Sequence, residues 1–215
     1  MEFNLLAWVS LAIVVSNLLL LANSRLTNLI RLVAFQGYLL GLLPLLMPDF
    51  PAEWHVVMLV VLSIAAKGIL IPRFLSRAIR GVREIREINP VVGYSMSMAF
   101  GIVTSSLAFY LLRIAPFSHA IISPFHGATA IATAAIGFFL IITSRNIVRQ
   151  IIGYLLLENA GFILGVAVAS LQPLLVEMGV LLDILVGVFI MVMAVNHIYS
   201  EHNSLDIETL EQLTQ

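Results

Sequence analysis

Apolar residues run along this chain in long blocks that are separated by short polar interruptions. A helix needs about 20 mostly apolar residues to cross the hydrocarbon core of a membrane, and seven blocks have about that length. The predicted spans are 3–23, 29–47, 54–75, 91–112, 122–143, 150–171 and 174–199. No block shows the alternation of apolar and polar residues that indicates a strand. Because backbone in lipid must satisfy its own hydrogen bonds, we predict an all-α, polytopic integral membrane protein with about seven transmembrane helices.

The interruptions between the blocks contain residues that end helices. The run Pro48-Asp49-Phe50-Pro51 separates the second and third spans, and Gln172-Pro173 forms a tight turn between the last two. The first block follows Met1 and Glu2, which lack the positive charge of a signal peptide. We therefore expect the first block to remain as a helix.

Arginines collect in alternate loops. The loops after the first, third and fifth spans hold or adjoin most of them: Arg25, Arg31, Arg77, Arg80, Arg83, Arg86, Arg145 and Arg149. Since cytoplasmic loops are enriched in Lys and Arg, seven spans place the N-terminus outside and the C-terminus in the cytoplasm. Six spans would conflict with this pattern unless 29–47 or 122–143 is re-entrant.

Two polar segments are expected on the cytoplasmic side. The loop RAIRGVREIREINP (77–90) alternates basic and acidic residues at helical spacing and predicts a short amphipathic helix. This helix either sets the topology with a solvated face or docks a partner subunit. The acidic tail, residues 201–215, either meets a soluble partner or hangs free.

Composition excludes several classes of function. Hydrophobic residues make up 60% of the chain and charged residues only 11%, whereas soluble domains carry about 25% charged residues. With no cysteine, the chain forms no disulfide and ligates no iron–sulfur cluster. A net charge of −1 gives no basic surface for nucleic acid, and no nucleotide-binding motif is present. The histidines show no metal-ligand spacing, so we predict neither a metal nor another cofactor in this chain.

Three ionisable residues fall well inside predicted spans: Lys67, Glu158 and Asp183. An unpaired charge at the bilayer centre costs about 2.5–3.5 kcal/mol on insertion scales. At about 1.5 Å per residue, Lys67 and Glu158 both lie roughly 12 Å from the cytoplasmic ends of their helices. Asp183 lies nearer the middle of the seventh span, beside the sixth. Lys67 can therefore pair with either carboxylate.

Three explanations of these charges remain open from the residues alone. They form a static ion pair between helices, a proton path whose carboxylates load and release a proton, or contacts with charged residues of other subunits. Glu177 and His126, near the outer ends of their helices, are possible accessory groups. The spacings Gly37-x-x-x-Gly41 and Gly161-x-x-x-Gly165 allow close helix approach.

Several stretches carry a family likeness. SRNIVRQIIGYLLLENAG, LVEMGVLLDILVGVFIMV and SLDIETL, with the segment from Lys67 to Pro72, resemble the hydrogenase-4 component E family. These proteins are membrane subunits of group 4 [NiFe] hydrogenase and formate hydrogenlyase-type complexes. The C-terminal part is also similar, more distantly, to the K-type subunit of complex I. In that subunit an Arg-Asn pair, here Arg145-Asn146, precedes a helix bearing one glutamate, and Asp183 matches a second. The first aligns with Leu155, one turn before Glu158.

The resemblance implies a membrane-arm subunit of a redox complex. It implies three regions: four N-terminal helices (1–120), three K-type helices (121–200) and the acidic cytoplasmic tail (201–215). Glu158 and Asp183 would exchange protons, Lys67 would tune them, and Arg145 and Arg149 would lie at a cytoplasmic loop. The expected partners are membrane lipid, antiporter-like and H-subunit-like membrane subunits, and a hydrogenase module that holds the redox centres, so this chain is a non-catalytic subunit.

The resemblance also implies the plasma (inner) membrane of a bacterium or archaeon. Two rival interpretations are a subunit of a multisubunit cation/proton antiporter and a structural assembly subunit without transport. A retinal protein is disfavoured because no lysine follows Lys67.

Overall fold

The computed structural model describes residues 5–43, 54–78, 92–114 and 124–167, and all regular secondary structure in these ranges is helical. The helices are α1 (Leu5–Ala22), α2 (Leu26–Leu42), α3 (Trp54–Ile64), a π-helical segment (Ala65–Leu70), α4 (Ile71–Ala78), α5 (Tyr94–Ile114), α6 (Pro124–Thr143) and α7 (Ile147–Ala167). The predicted all-α class is confirmed for this part of the chain. The predicted span 174–199, the acidic tail and most of the loop 77–90 lie outside the described residues.

Two described helices are long and apolar enough to cross a membrane by length and composition, namely α5 and α6. Residues Ala7–Ala22 and Leu26–Leu42 form shorter apolar helices. The total of seven spans therefore remains a prediction, as do the three regions drawn along the chain.

Helix α7 begins three residues before the predicted span because Asn146 caps it. The side-chain oxygen of Asn146 accepts hydrogen bonds from the backbone N–H groups of Val148 at 2.9 Å and Arg149 at 3.3 Å. An N-terminal cap satisfies donors that have no partner within the helix, and it is worth about 1 kcal/mol. The cap thus stabilises the first turn of α7, where the residues are too polar for the apolar pattern to predict a membrane span.

The third predicted span is one continuous helical rod, but it is not uniformly α-helical. Between α3 and α4 the π segment contains Lys67 and Gly68, and the N–H of Ile71 bonds to the carbonyl of Ala66, five residues back. Pro72 has no N–H to offer the carbonyl of Gly68, so the ordinary i→i−4 bond is missing at this turn. Short π segments within α-helices are frequently found at functional sites.

Helices α6 and α7 form an antiparallel hairpin that is joined by residues 144–146. The two helices touch through backbone at Gly137 and Gly153. A Cβ built on either glycine would lie 2.8 Å from the carbonyl oxygen of the other. Because a side chain at either position would push the helices apart, this pair of glycines sets their separation.

The other helices pack around this hairpin. Helix α1 contacts α2, α5 and α6, while α2 contacts α7 and the rod formed by α3, the π segment and α4. The main apolar core includes Leu29 of α2, Ile136 of α6 and Leu156 of α7, each fully buried. The outward face of α5 is also apolar, with Met96 and Val103 more than half exposed. An exterior of this kind suits contact with lipid or with another subunit.

Candidate functional site

A buried ion pair joins the π segment to α7. The Nζ of Lys67 donates to Oε1 of Glu158 at 2.6 Å, and the two side chains are only 5% and 2% exposed. Lys67 is the single lysine of the sequence, and Glu158 is the single carboxylate within 5–43, 54–78, 92–114 and 124–167. The structure thus brings together the two charges whose depths match, while Asp183 lies outside the described residues.

The surroundings of Lys67 bring its ammonium close to α7. Its Nζ lies 5.5 Å from the centre of the Phe162 ring, within the range of a cation–π contact. Phe162 is one turn beyond Glu158, so both side chains approach Lys67 from the same helix. On the opposite side, a Cβ added to Gly37 of α2 would lie 2.8 Å from the backbone of Lys67. Only a residue without a side chain lets α2 approach the π segment this closely.

A small cavity adjoins the ion pair. Its polar wall consists of Lys67, Glu158 and Asn159, and its other walls are apolar residues of α2, α4 and α7. The centre of a water molecule could occupy about 10 Å³ of this cavity, which is close to the volume that one water needs. The second carboxylate oxygen of Glu158, Oε2, is buried without a hydrogen-bond partner in the described part of the chain. A carboxylate with one paired and one unpaired oxygen can accept a proton without first breaking its ion pair.

A chain of buried polar side chains begins beside this pair and crosses four helices. Asn159 of α7 donates to Gln36 of α2 at 3.3 Å, and Gln36 donates to Asn17 of α1 at 2.8 Å. Gln36 also donates to Ser16, and Asn17 donates to Thr133 of α6 at 2.8 Å. All five residues are at most 3% exposed. We call this set the amide network.

Our interpretation of the sequence missed the amide network. The signal was present, because Asn17 and Gln36 are carboxamides inside otherwise apolar blocks. Such residues in membrane helices usually hydrogen-bond across helices. Sequence alone, however, gives no distance between blocks, so it could not show that these amides meet one another beside Glu158.

Of the other predicted residues, Glu177 lies outside the described part of the chain, and His126, Arg145 and Arg149 lie at or beside the ends of α6 and α7. His126 is the third residue of α6 and lies edge-on to the ring of Phe125, so it stays a possible accessory group near a helix end. Arg145 is exposed, as expected of a loop, whereas Arg149 is only 1% exposed. The burial of Arg149 in the first turn of α7 was not predicted from its place beside a loop.

Comparison with known proteins shows what this chain is similar to. Residues 126–215, which include α6, α7 and the ion-paired Glu158, match the family of NADH-ubiquinone/plastoquinone oxidoreductase chain 4L. This family is the one to which the K-type subunits of complex I belong.

The chain is also similar to hydrogenase-4 component E of Escherichia coli K12, with 28% identity over 149 residues, 68% of each chain. Hydrogenase-4 component E of Shigella flexneri gives the same values. An uncharacterized protein of Mycobacterium tuberculosis is 24% identical over 208 residues, which cover 94% of this chain and 92% of that protein. No solved structure matches significantly. The predicted resemblance to the hydrogenase-4 component E family, with a K-type C-terminal part, is confirmed.

Proposed function

We propose that this chain is a membrane-arm subunit of a hydrogenase-4-like, complex I-related redox complex and that it contributes to proton translocation through Glu158. In this proposal seven helices cross the plasma membrane of a bacterium or archaeon, with the N-terminus outside. The buried Lys67–Glu158 pair beside a cavity is the observation that supports the transport role most directly. The similarity to hydrogenase-4 component E supports the assignment to a complex.

The chemistry of the pair suits reversible protonation. When Glu158 takes up a proton, its negative charge is neutralised and the attraction to the ammonium of Lys67 is lost. When the proton leaves, the carboxylate is restored and the pair forms again. Asp183, in the next predicted span, is the proposed second carboxylate along the path. Protonation of Glu158 leaves the buried ammonium of Lys67 without its carboxylate, which is costly. Lys67 therefore favours release of the proton from Glu158.

A charge reversal separates this role from that of a helix anchor. In the double variant Lys67→Glu with Glu158→Lys, opposite charges still face each other between the π segment and α7. An anchor needs only that attraction, whereas a relay needs its carboxyl group on α7. We expect the double variant to assemble but to translocate roughly tenfold fewer protons per electron, because misplaced acid–base groups lose rate steeply. Proton uptake by inverted vesicles, measured beside redox turnover, decides between the two. Normal translocation would favour the anchor.

Co-purification separates the proposed complex from an antiporter. We expect a nickel–iron hydrogenase module and other membrane subunits to co-purify with an affinity-tagged form of this chain in mild detergent. Mass spectrometry would identify the proteins, and metal analysis would detect nickel. An untagged strain taken through the same purification is the control. Recovery of membrane subunits alone, with no redox protein or nickel, would contradict the proposal and favour a cation/proton antiporter.

A further inference from the structure

Two consecutive residues of helix α2 contact Lys67 and Asn159, the residue next to Glu158. The carboxamide of Gln36 accepts a hydrogen bond from Asn159, the residue that follows Glu158. Gly37 packs against the backbone of Lys67 so closely that an added Cβ would lie 2.8 Å away. The distance between Lys67 and Glu158 therefore depends on how α2 is held between the π segment and α7.

The amide network fixes the carboxamide of Gln36 in one orientation. The hydroxyl of Ser16 donates to the carbonyl of Ile13 at 2.9 Å, and that of Thr133 donates to the carbonyl of Thr129 at 2.7 Å. Each hydroxyl has one hydrogen, so both can only accept from the neighbouring amides. Asn17 must then turn its NH₂ toward Thr133 and its oxygen toward Gln36.

The same constraint passes on to the carboxamide beside Glu158. With the NH₂ of Gln36 directed at Asn17 and Ser16, its oxygen faces Asn159, which must donate its own NH₂. Each residue in this series donates to the next, from Asn159 of α7 through Gln36 and Asn17 to Thr133, which donates to a backbone carbonyl of α6. A buried network in which each amide is oriented by its neighbours makes a rigid contact, since turning one group leaves others unsatisfied.

The network is also unsuited to carrying a proton itself. Carboxamides donate and accept hydrogen bonds but have no proton that they release at ordinary pH. Its two hydroxyl hydrogens are held by backbone carbonyls. A proton at Glu158 therefore has no continuation through α1 and α2 by way of these side chains. The network can instead fix the positions of the side chains at the site.

We infer that Gln36 is a positioning residue for proton exchange at Glu158. Its locked carboxamide holds Asn159 and so sets the place of Glu158 on α7 relative to Lys67. The inference rests on the proposed function, because positioning matters only if Glu158 exchanges protons. It extends the functional site to α1 and α2, which lie outside the segment that matches the chain 4L family.

The test replaces the amide of Gln36 without changing its length. Gln36→Met in the intact complex removes the hydrogen bonds and keeps an unbranched side chain of similar size. Two quantities are measured: protons translocated per electron, and the infrared carboxylate band that disappears in Glu158→Gln. We expect the band to shift and the proton yield to fall roughly tenfold, since displacing a reacting group by ~1 Å can cost up to 10²-fold.

Gln150→Met is the matched control, because the side chain of Gln150 donates to the carbonyl of Ser144, in the connection that precedes its own helix. It should change neither quantity. If Gln36→Met fails to assemble, Gln36→Met with Asn159→Leu replaces it. This variant makes both facing groups apolar, which is often nearly neutral for stability, and the same two changes are expected.

Each result other than the joint change overturns the inference. An unchanged proton yield shows that the position set by Gln36 is not needed, whatever the band does. A lower yield with an unshifted band shows that Gln36 acts by another route. The proposed function fails separately: if Glu158→Gln itself translocates protons normally, Glu158 is not a relay, and the Gln36 variants are then irrelevant to transport.

Discussion

Replacing Glu158 with glutamine should nearly abolish coupled proton translocation while the complex still assembles. The amide has almost the same shape as the carboxyl group, and its oxygen can still accept the hydrogen bond from Lys67 that is now 2.6 Å long. It cannot take up and release a proton. Losing a positioned acid–base group costs about 10²–10⁴-fold, so we expect protons per electron to fall at least about 10²-fold in inverted vesicles.

The matched control removes a carboxylate elsewhere in the chain. Glu208→Gln makes the same substitution in the acidic C-terminal tail, which we predict to be cytoplasmic, and it should leave translocation unchanged. Assembly is checked by the amount of chain recovered with its partners. Normal coupling in an assembled Glu158→Gln complex would remove the relay role and leave the ion pair as a link between helices.

Replacing Lys67 with methionine should strongly destabilise the protein. Methionine retains the length of the lysine stem, but the carboxylate at Glu158, only 2% exposed, loses its ammonium partner. Breaking a buried pair from one side costs about 3–5 kcal/mol. For a chain of this length that corresponds to a fall of roughly 10 °C in the midpoint of thermal unfolding. Fluorescence-detected size-exclusion after heating would measure it.

The double variant Lys67→Met with Glu158→Gln tests the cause of that loss. If an uncompensated carboxylate is responsible, removing its charge should restore most of the midpoint, because replacing both members of a buried pair is often neutral. The double variant should still fail to translocate protons. A midpoint as low as that of Lys67→Met would show that the lysine stabilises the protein through contacts other than this charge pair.

The meeting of Lys67 and Glu158 was accessible from sequence because two simple quantities determine it. Hydropathy delimits the helices, and a fixed rise per residue gives each charge a depth. Two opposite charges at matching depths are expected to pair, because pairing offsets the free-energy cost of burying each charge alone. Sequence left Asp183 as an equal candidate, since depth does not say which helices are neighbours.

Other features depend on contacts between helices, which hydropathy does not report. The π segment lies just before Pro72, where Gly37 packs on Lys67, whereas the sequence pattern predicts only a continuous helix. The close glycine pair is Gly137 with Gly153, which follow no short motif. The Gly37-x-x-x-Gly41 motif does mark a close contact, since a Cβ added to Gly37 would lie 2.8 Å from Lys67, whereas Gly161 of the second motif would meet no atom within 4 Å. Such a motif does not by itself tell which glycines lie at a close contact.

The burial of the single lysine also decides which reagents can locate the contacts of this protein with other molecules. Amine-directed cross-linkers and labels need a reachable, unprotonated side chain, whereas the Lys67 ammonium is 5% exposed and held by a carboxylate. Such reagents would not label its side chains, so a lack of cross-links would not mean that the protein has no neighbours. Chemistry directed at arginines, such as the exposed Arg73 and Arg145, is the better choice for locating its contacts.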